Sequence, residues 1–403
     1  MVFGANRVDQ PPAKVIVGRM IEPSEAAARA AAETPPHLPV RTAPDAPPRQ
    51  SPPDRSLDQW RGLALVLVLI SHGFFFTGLV PGIGRAGVNL FFFISGILVF
   101  RSLARGPQTW WPGAGYFWIR RTKRLVPAKY FYLLCITLVV VLPVLPMVTS
   151  AFRTSFFRGL PSSFLYYRNY YLGDLNDLGN ARTPENLTGH LWSLACEMQF
   201  YALAPLIFFA GGGTIRRRAA VYGVILVLFL VGGCSVLVKP PDNPYTFGVA
   251  AWPMMAGFAA QFLLDAFPRP FRACGRTLAW IGLLSLLVLA VWLAVLCLRV
   301  MGVPLPSLQK YAIVLAGTLL LPGCFGCYLE GIAPPGFLGN SFHWLGNRTY
   351  SIYLWQQPFT IGGLVPHAYH PLGSLLAIPV GGLSFRFLER PFMSKYKPGK
   401  AVQ

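Results

Sequence analysis

The sequence predicts an all-α, polytopic membrane protein of about ten transmembrane helices, with both termini cytoplasmic. Three observations predict it. Of 403 residues, 54% are hydrophobic and 12% charged, whereas a soluble domain carries about 25% charged residues. From Leu63 onward, apolar runs of roughly 17–25 residues recur, which is the length that crosses a bilayer as a helix. The basic residues gather in short segments between those runs, as the positive-inside bias requires. The apolarity is continuous rather than alternating, which argues against a porin-like barrel. A net charge of +20 would point a soluble protein toward nucleic acid. Here topology accounts for it, and no RNA-binding motif or zinc-ligand spacing accompanies it.

Taken in order, residues 1–55 hold eleven prolines and little apolar periodicity. Such a segment cannot bury enough apolar surface to offset its ordering entropy, so a disordered cytoplasmic tail is expected, with Ala26 to Ala32 as a brief helix. No apolar core follows the first basic residues, so the segment does not read as a signal peptide. Residues 56–393 are expected to form the membrane domain and 394–403 a basic cytoplasmic tail. The ten spans are expected at 58–80, 87–104, 125–147, 189–210, 219–238, 247–267, 277–298, 310–329, 344–364 and 372–389. Arg105, Arg120, Arg121, Lys123 and Arg124 follow span two, Arg216 to Arg218 follow span four, and Arg269, Arg272 and Arg276 follow span six. These fall on the N-terminal side of the membrane, which the charge rule makes cytoplasmic. The loop 148–188 then faces outward, as a lid, an acceptor platform or an aromatic segment lying on the membrane surface. Six of the seven cysteines sit in apolar runs. Cys324 and Cys327 form a C-x-x-C without a βαβ pattern, so all read as small hydrophobes rather than a redox pair.

Arg61 and His72 lie eleven residues apart in span one. At about 100° per residue they share one helix face, about 16 Å apart along the axis. Arg61 can snorkel to the interface. His72 cannot, and an imidazole in mid-span is a candidate acid–base group, or a structural bridge between helices. Glu197 is the carboxylate with apolar sequence on both sides; it shares a face with His190 and Ser193 and needs a cationic or hydrogen-bonding partner. Arg121 and Arg124 sit three apart in a basic cluster that suits phosphate recognition or simply anchors topology. Asn89 and Ser95 are polar in an apolar run flanked by Gly87 and Gly96, which allow close helix approach. Tyr350, Tyr353 and Gln357 share a face of span nine and supply substrate contacts or packing contacts.

Together these stretches resemble acyltransferase family 3, the membrane acyltransferases that O-acylate sugars and related acceptors. The likeness covers about residues 57–393. It runs from the Arg-x10-His of span one through Gly87-Val-x-Leu-Phe-Phe92, Arg121-x-x-Arg124, Trp192-Ser-Leu-x-x-Glu197 and Tyr350-Ser-x-Tyr-Leu-Trp355 to Glu389-Arg-Pro-Phe392. Asn89 stands where many relatives carry an acid, and Gln356 where many carry histidine. The resemblance implies acyl-CoA, chiefly acetyl-CoA, as a cytoplasmic co-substrate, with no permanently bound cofactor or metal. It also implies a carbohydrate or lipid-linked sugar acceptor, a bacterial inner membrane and no appended periplasmic hydrolase-like domain. His72 would be base or acyl carrier, Glu197 its helper, and Arg61, Arg121 and Arg124 the phosphate ligands. Asn89, Ser193, Tyr350, Tyr353 and Gln357 would support the substrate. The rival readings are a transporter of a small acyl donor, lipid or ion, and a non-catalytic scaffold.

Overall fold

A computed structural model describes residues 52–74, 82–142, 148–171, 187–212, 214–238, 243–300, 309–360 and 365–394. Residues 1–51 of the expected tail, the tip of the outer loop with Asp174, Asp177 and Glu185, and residues 395–403 lie outside them, while Pro52 to Arg55, expected in the tail, open the first helix. The described residues are helical, with no strand among them. The helices are α1 (Pro52–Gly73), α2 (Ile83–Ala104), α3 (Trp110–Val141), α4 (Ser150–Phe164), α5 (Leu191–Ala210) and α6 (Ile215–Val238). They continue with α7 (Phe247–Ala250), α8 (Trp252–Ala266), α9 (Pro268–Ala273), α10 (Gly275–Val300), α11 (Gln309–Glu330), α12 (Gly336–Phe359) and α13 (His370–Ser384). A π turn, Phe385–Glu389, links α13 to α14 (Arg390–Ser394).

Each expected span overlaps helix among the described residues, although 75–80, 143–147 and 361–364 of those spans lie outside them. Six stretches are long and apolar enough to cross a membrane: α2, α3, α5, Ile215–Ser235, Gly275–Ala294 and His370–Met393. Helix α1 falls short on composition because Asp58, Gln59, Arg61 and His72 interrupt its apolar run. The outer helices leave large apolar side chains exposed, among them Val224, Leu228 and Val231 on α6 and Trp280, Leu284 and Leu287 on α10. Water does not tolerate faces of that extent, and lipid does. The chain is therefore an integral, polytopic membrane protein.

Three expectations about local structure change. The basic segment ahead of span three is not a loop: α3 runs unbroken from Trp110 through Pro127, because Trp118 and Phe117 dock its first half on α5. Span six is broken at Ala251, just before Pro253, into α7 and α8. Part of loop 148–188 is the helix α4, whose Phe152 and Phe156 are buried in the core.

Helix α2 is the axis of the bundle, with 78% of its apolar window buried against 6% for α6. Its glycines permit this. A Cβ on Gly96 would lie 2.0 Å from the Met254 carbonyl oxygen, and one on Gly257 would lie 1.9 Å from that of Phe93. Helices α2 and α8 therefore touch backbone to backbone. Helix α1 runs antiparallel to α2, with Val68 at Gly87 and Ser71 at Gly84. It runs parallel to α12, with Asp58 at Gly346 and His72 at Gln356.

Helix prolines add a second packing device. Proline has no N–H, so the carbonyl four residues earlier loses its helical partner. Pro205 orphans the Tyr201 oxygen in this way, and the Trp118 indole N–H fills it at 2.9 Å.

Candidate active site

Three adjacent cavities descend through the bundle. The first is an open vestibule where Arg101 of α2 and Arg105 at its C-cap meet Arg120, Arg121, Lys123 and Arg124 of α3. Asp58 is the acid among the residues that line it, and Leu57, Phe392 and Met393 complete its rim. The second is a narrow neck walled by Arg61, Ser95, Glu197, Tyr201 and the two α3 arginines. The third is a small apolar chamber between Leu65, Val68, Val88, Phe91 and Leu194, with Glu197, Ser193, Thr349, Tyr350 and Tyr353 among its polar groups. Leu98, Arg121 and Arg124 border the first two cavities. Phe91, Glu197 and Tyr350 border the last two. One face of α1 follows the whole descent: Asp58 at the vestibule, Arg61 at the neck, Leu65 and Val68 in the chamber, and His72 one turn beyond.

The three expected arginines meet at the neck, held in different ways. Arg61 is buried, 3.6 Å from Asp58 and stacked over Phe91. Arg124 donates through Nε to the Glu389 carboxylate at 3.2 Å. Glu389 is fully buried and also accepts from Ser351 Oγ at 2.8 Å, so the closing Glu-Arg-Pro-Phe motif anchors this arginine. Arg121 has no carboxylate partner among the described residues. It donates to the Leu98 oxygen at 3.2 Å and packs against Tyr201. Its fork geometry is matched to an anion, and it borders both vestibule and neck.

Glu197 is buried, as its surroundings in the sequence require, and is satisfied by hydroxyls rather than by an ion pair. Ser95 Oγ donates to Oε1 at 3.1 Å, and the Tyr201 hydroxyl donates to the same oxygen. Tyr201 lies one helical turn after Glu197, so that spacing could have revealed it.

Beyond the chamber, His72 Nδ1 is 2.7 Å from the Gln356 side-chain oxygen. An amide oxygen only accepts, so Nδ1 carries the proton and Nε2 is the basic nitrogen. Gln356 is fully buried, and its Nε2 has no partner. Gln356 is therefore the residue that holds the histidine. Nearby, Pro358 orphans the Leu354 carbonyl, and His190 Nε2 donates to it at 3.1 Å. Tyr353 donates to the His190 carbonyl at 2.8 Å and shares a 2.7 Å hydrogen bond with Ser193 Oγ. Tyr350 donates to the Leu125 carbonyl at 2.5 Å, tying α12 to α3.

Of the expected support residues, Ser193, Tyr350 and Tyr353 line the chamber. Gln357 is buried but is not among its lining residues, and neither is Asn89, whose Oδ1 is buried without a partner. The residues that sequence reasoning undervalued are Gln356, His190 and Tyr201. Among the described residues, no cluster of histidine, cysteine or carboxylate suited to a metal occurs.

The helical membrane bundle thus carries buried polar groups from a basic mouth to His72 in the last turn of α1, not to the middle of a described helix as the sequence led us to expect. The acyltransferase-domain family, acyltransferase family 3, matches residues 54–385, and the chain belongs to that family. Similar proteins include a putative peptidoglycan O-acetyltransferase, YrhL, of Bacillus subtilis, 27% identical over 374 residues (84% of this chain, 55% of the relative). The peptidoglycan O-acetyltransferase OatA of Listeria monocytogenes is 26% identical over 373 residues (83% and 55%). The O-acetyltransferase OatA of Staphylococcus aureus is 24% identical over 361 residues (84% and 57%). The chain spans a little over half the length of these curated relatives. No solved structure matches it.

Proposed function

We propose that this protein is a membrane O-acyltransferase that moves an acyl group, most readily acetyl, from acyl-CoA to a hydroxyl of a carbohydrate acceptor. Family membership and the peptidoglycan O-acetyltransferase relatives support the reaction class. The observation that carries the donor is the row of adjoining cavities: six cations at the mouth, a buried arginine neck and an apolar chamber, with His72 one turn further along α1. The ADP phosphates of CoA suit Arg121, Arg124 and their neighbours in the vestibule. The pantetheine arm would pass Arg61 and bring the thioester toward His72, about 16 Å further along α1.

In this reading His72 Nε2 removes the proton from the acceptor hydroxyl as its oxygen attacks the thioester carbon. The carbon–sulfur bond breaks, the ester forms, and the proton leaves with the CoA thiolate. Gln356 keeps Nδ1 protonated so that Nε2 is available. Glu197, held by Ser95 and Tyr201, borders the path of the arm and offers an acceptor to its amides. A transient acyl-imidazole on the same nitrogen is the covalent variant. The start of α1, the end of α2, the basic part of α3 and α14 converge on the vestibule. This supports an even number of spans, with the start of α1 and α14 on one side of the membrane; ten spans with that side cytoplasmic, in a bacterial cell membrane, remain part of the proposal.

The test is purified protein with radiolabelled acetyl-CoA and soluble peptidoglycan oligosaccharide, following CoA thiol, labelled sugar and labelled protein. Wild type should release CoA in step with labelled sugar, and His72→Ala should lose about 10²–10⁴-fold of the rate while still binding CoA. Label that crosses proteoliposomes without any covalent product would instead make the protein a transporter. Full transfer by folded His72→Ala would remove His72 from the mechanism.

A further inference from the structure

We infer that His190 is an acceptor-binding residue: its Nδ1 receives a hydrogen bond from a second hydroxyl of the substrate, so the site is built for a polyol rather than a simple alcohol. The inference rests on the acyl-transfer reading above and adds the part of the site that selects the acceptor.

The argument begins with Pro358. Because it orphans the Leu354 carbonyl, a donor is required, and His190 Nε2 supplies it at 3.1 Å. A carbonyl only accepts, so the His190 proton is fixed on Nε2, and in the neutral ring Nδ1 is a bare acceptor. Nδ1 is buried and has no hydrogen-bond partner, and His190 as a whole is 3% exposed. The ring is not free to turn and find one. It is wedged edge-on to Tyr132, with centroids 5.6 Å apart, and against Tyr353 at 5.4 Å. The Tyr132 hydroxyl is committed to the Leu187 carbonyl at 2.6 Å. Trp118 fills the Tyr201 carbonyl with a ring that has no second nitrogen. A residue needed only to cap Leu354 had that option. Histidine leaves a lone pair behind.

The unfilled acceptor does not stand alone. Two residues past Leu354, Gln356 gives its oxygen to His72 and keeps a fully buried Nε2 donor without a partner. Through Gln356 and the Leu354 carbonyl, two residues apart on α12, that helix holds both histidines: His72 with its basic nitrogen and His190 with its unfilled acceptor, beside the unfilled donor of Gln356. Buried polar groups are nearly always satisfied, so each exception calls for an explanation, and a functional role is one of them. A hydroxyl both donates and accepts. Two neighbouring hydroxyls of a sugar can give one proton to His72 Nε2, the reacting position, and the other to His190 Nδ1, while their oxygens accept from Gln356.

The test compares glycerol and a disaccharide with ethanol as acceptors, using wild type, His190→Phe, His190→Lys and His190→Gln. Lysine keeps a donor for the Leu354 carbonyl but has no acceptor; glutamine has both. Wild type should prefer the polyols. His190→Lys and His190→Phe should lose about tenfold in kcat/KM for polyols, the effect of one hydrogen bond. Their ethanol values should hold, so that the preference collapses, and His190→Gln should restore it. CoA binding checks that each variant is folded, and where His190→Phe does not fold, His190→Lys carries the comparison. A polyol preference within twofold of wild type in His190→Lys would overturn the inference and leave His190 as a cap for Leu354. Loss of all transfer in the wild type would instead overturn the acyl-transfer reading itself.

Discussion

The Arg124–Glu389 pair offers the most direct check on the proposed donor mouth. Its atoms lie 3.2 Å apart, with Glu389 fully buried and the Arg124 side chain 22% exposed. At an effective dielectric of about 20, Coulomb's law gives about 5 kcal/mol at that distance. Partial exposure of Arg124 screens some of this, and the cost of burying both charges offsets more of it. Removing one partner should therefore destabilise the fold by about 3 kcal/mol, chiefly because the other charge is left buried and unpaired. Replacing both partners by apolar side chains of similar volume should be near neutral. Glu389→Leu and Arg124→Met should each be destabilised, and the double variant should recover most of the loss, in equilibrium unfolding in mixed micelles. Donor binding should not follow stability: the double variant is stable yet lacks the Arg124 charge, so CoA affinity stays reduced by about tenfold. Additive losses, within about 0.5 kcal/mol, would show that the two residues do not act as a pair. Wild-type CoA affinity in the double variant would show that Arg124 is an anchor with no part in donor binding.

The remaining predictions concern the channel and the axis of the bundle. Arg121→Ala should weaken CoA binding by about tenfold and flatten its dependence on ionic strength, measured by titration calorimetry in detergent, because an exposed phosphate contact is screened by salt. Tyr201→Phe should leave Glu197 with Ser95 as its hydrogen-bond donor and destabilise the protein by about 1–3 kcal/mol, read as a lower Tm in detergent. Gly96→Val should prevent α2 from seating on α8, since its Cβ would lie 2.0 Å from the Met254 oxygen. Aggregation on size-exclusion chromatography is expected, and a monodisperse, active variant would contradict the packing.

Physical periodicity made much of this protein legible from its residues. Apolar runs placed the long helices of the bundle, because a backbone in lipid must satisfy its own hydrogen bonds, but not α4 or the first half of α3. The eleven-residue interval between Arg61 and His72 placed both on one face, and that face follows the channel. Glu197 announced that it needed partners, because an unpaired buried charge is too costly to keep. Gly87 and Gly96 marked close helix contacts. The interruption at Pro253 and the helical start of α3 were less legible, since both depend on what packs beside them.

Which groups meet across the bundle was not legible, because those contacts join residues with no sequence relation. His72 meets Gln356 across 284 positions, and Arg124 meets Glu389 across 265. Pro358 shows the division most clearly. The sequence alone determines that Leu354 must lose its helical partner, because proline has no N–H. Only the tertiary structure decides that His190 fills the gap, because the donor is delivered by the packing of α5 against α12 and not by anything near Pro358 in the chain.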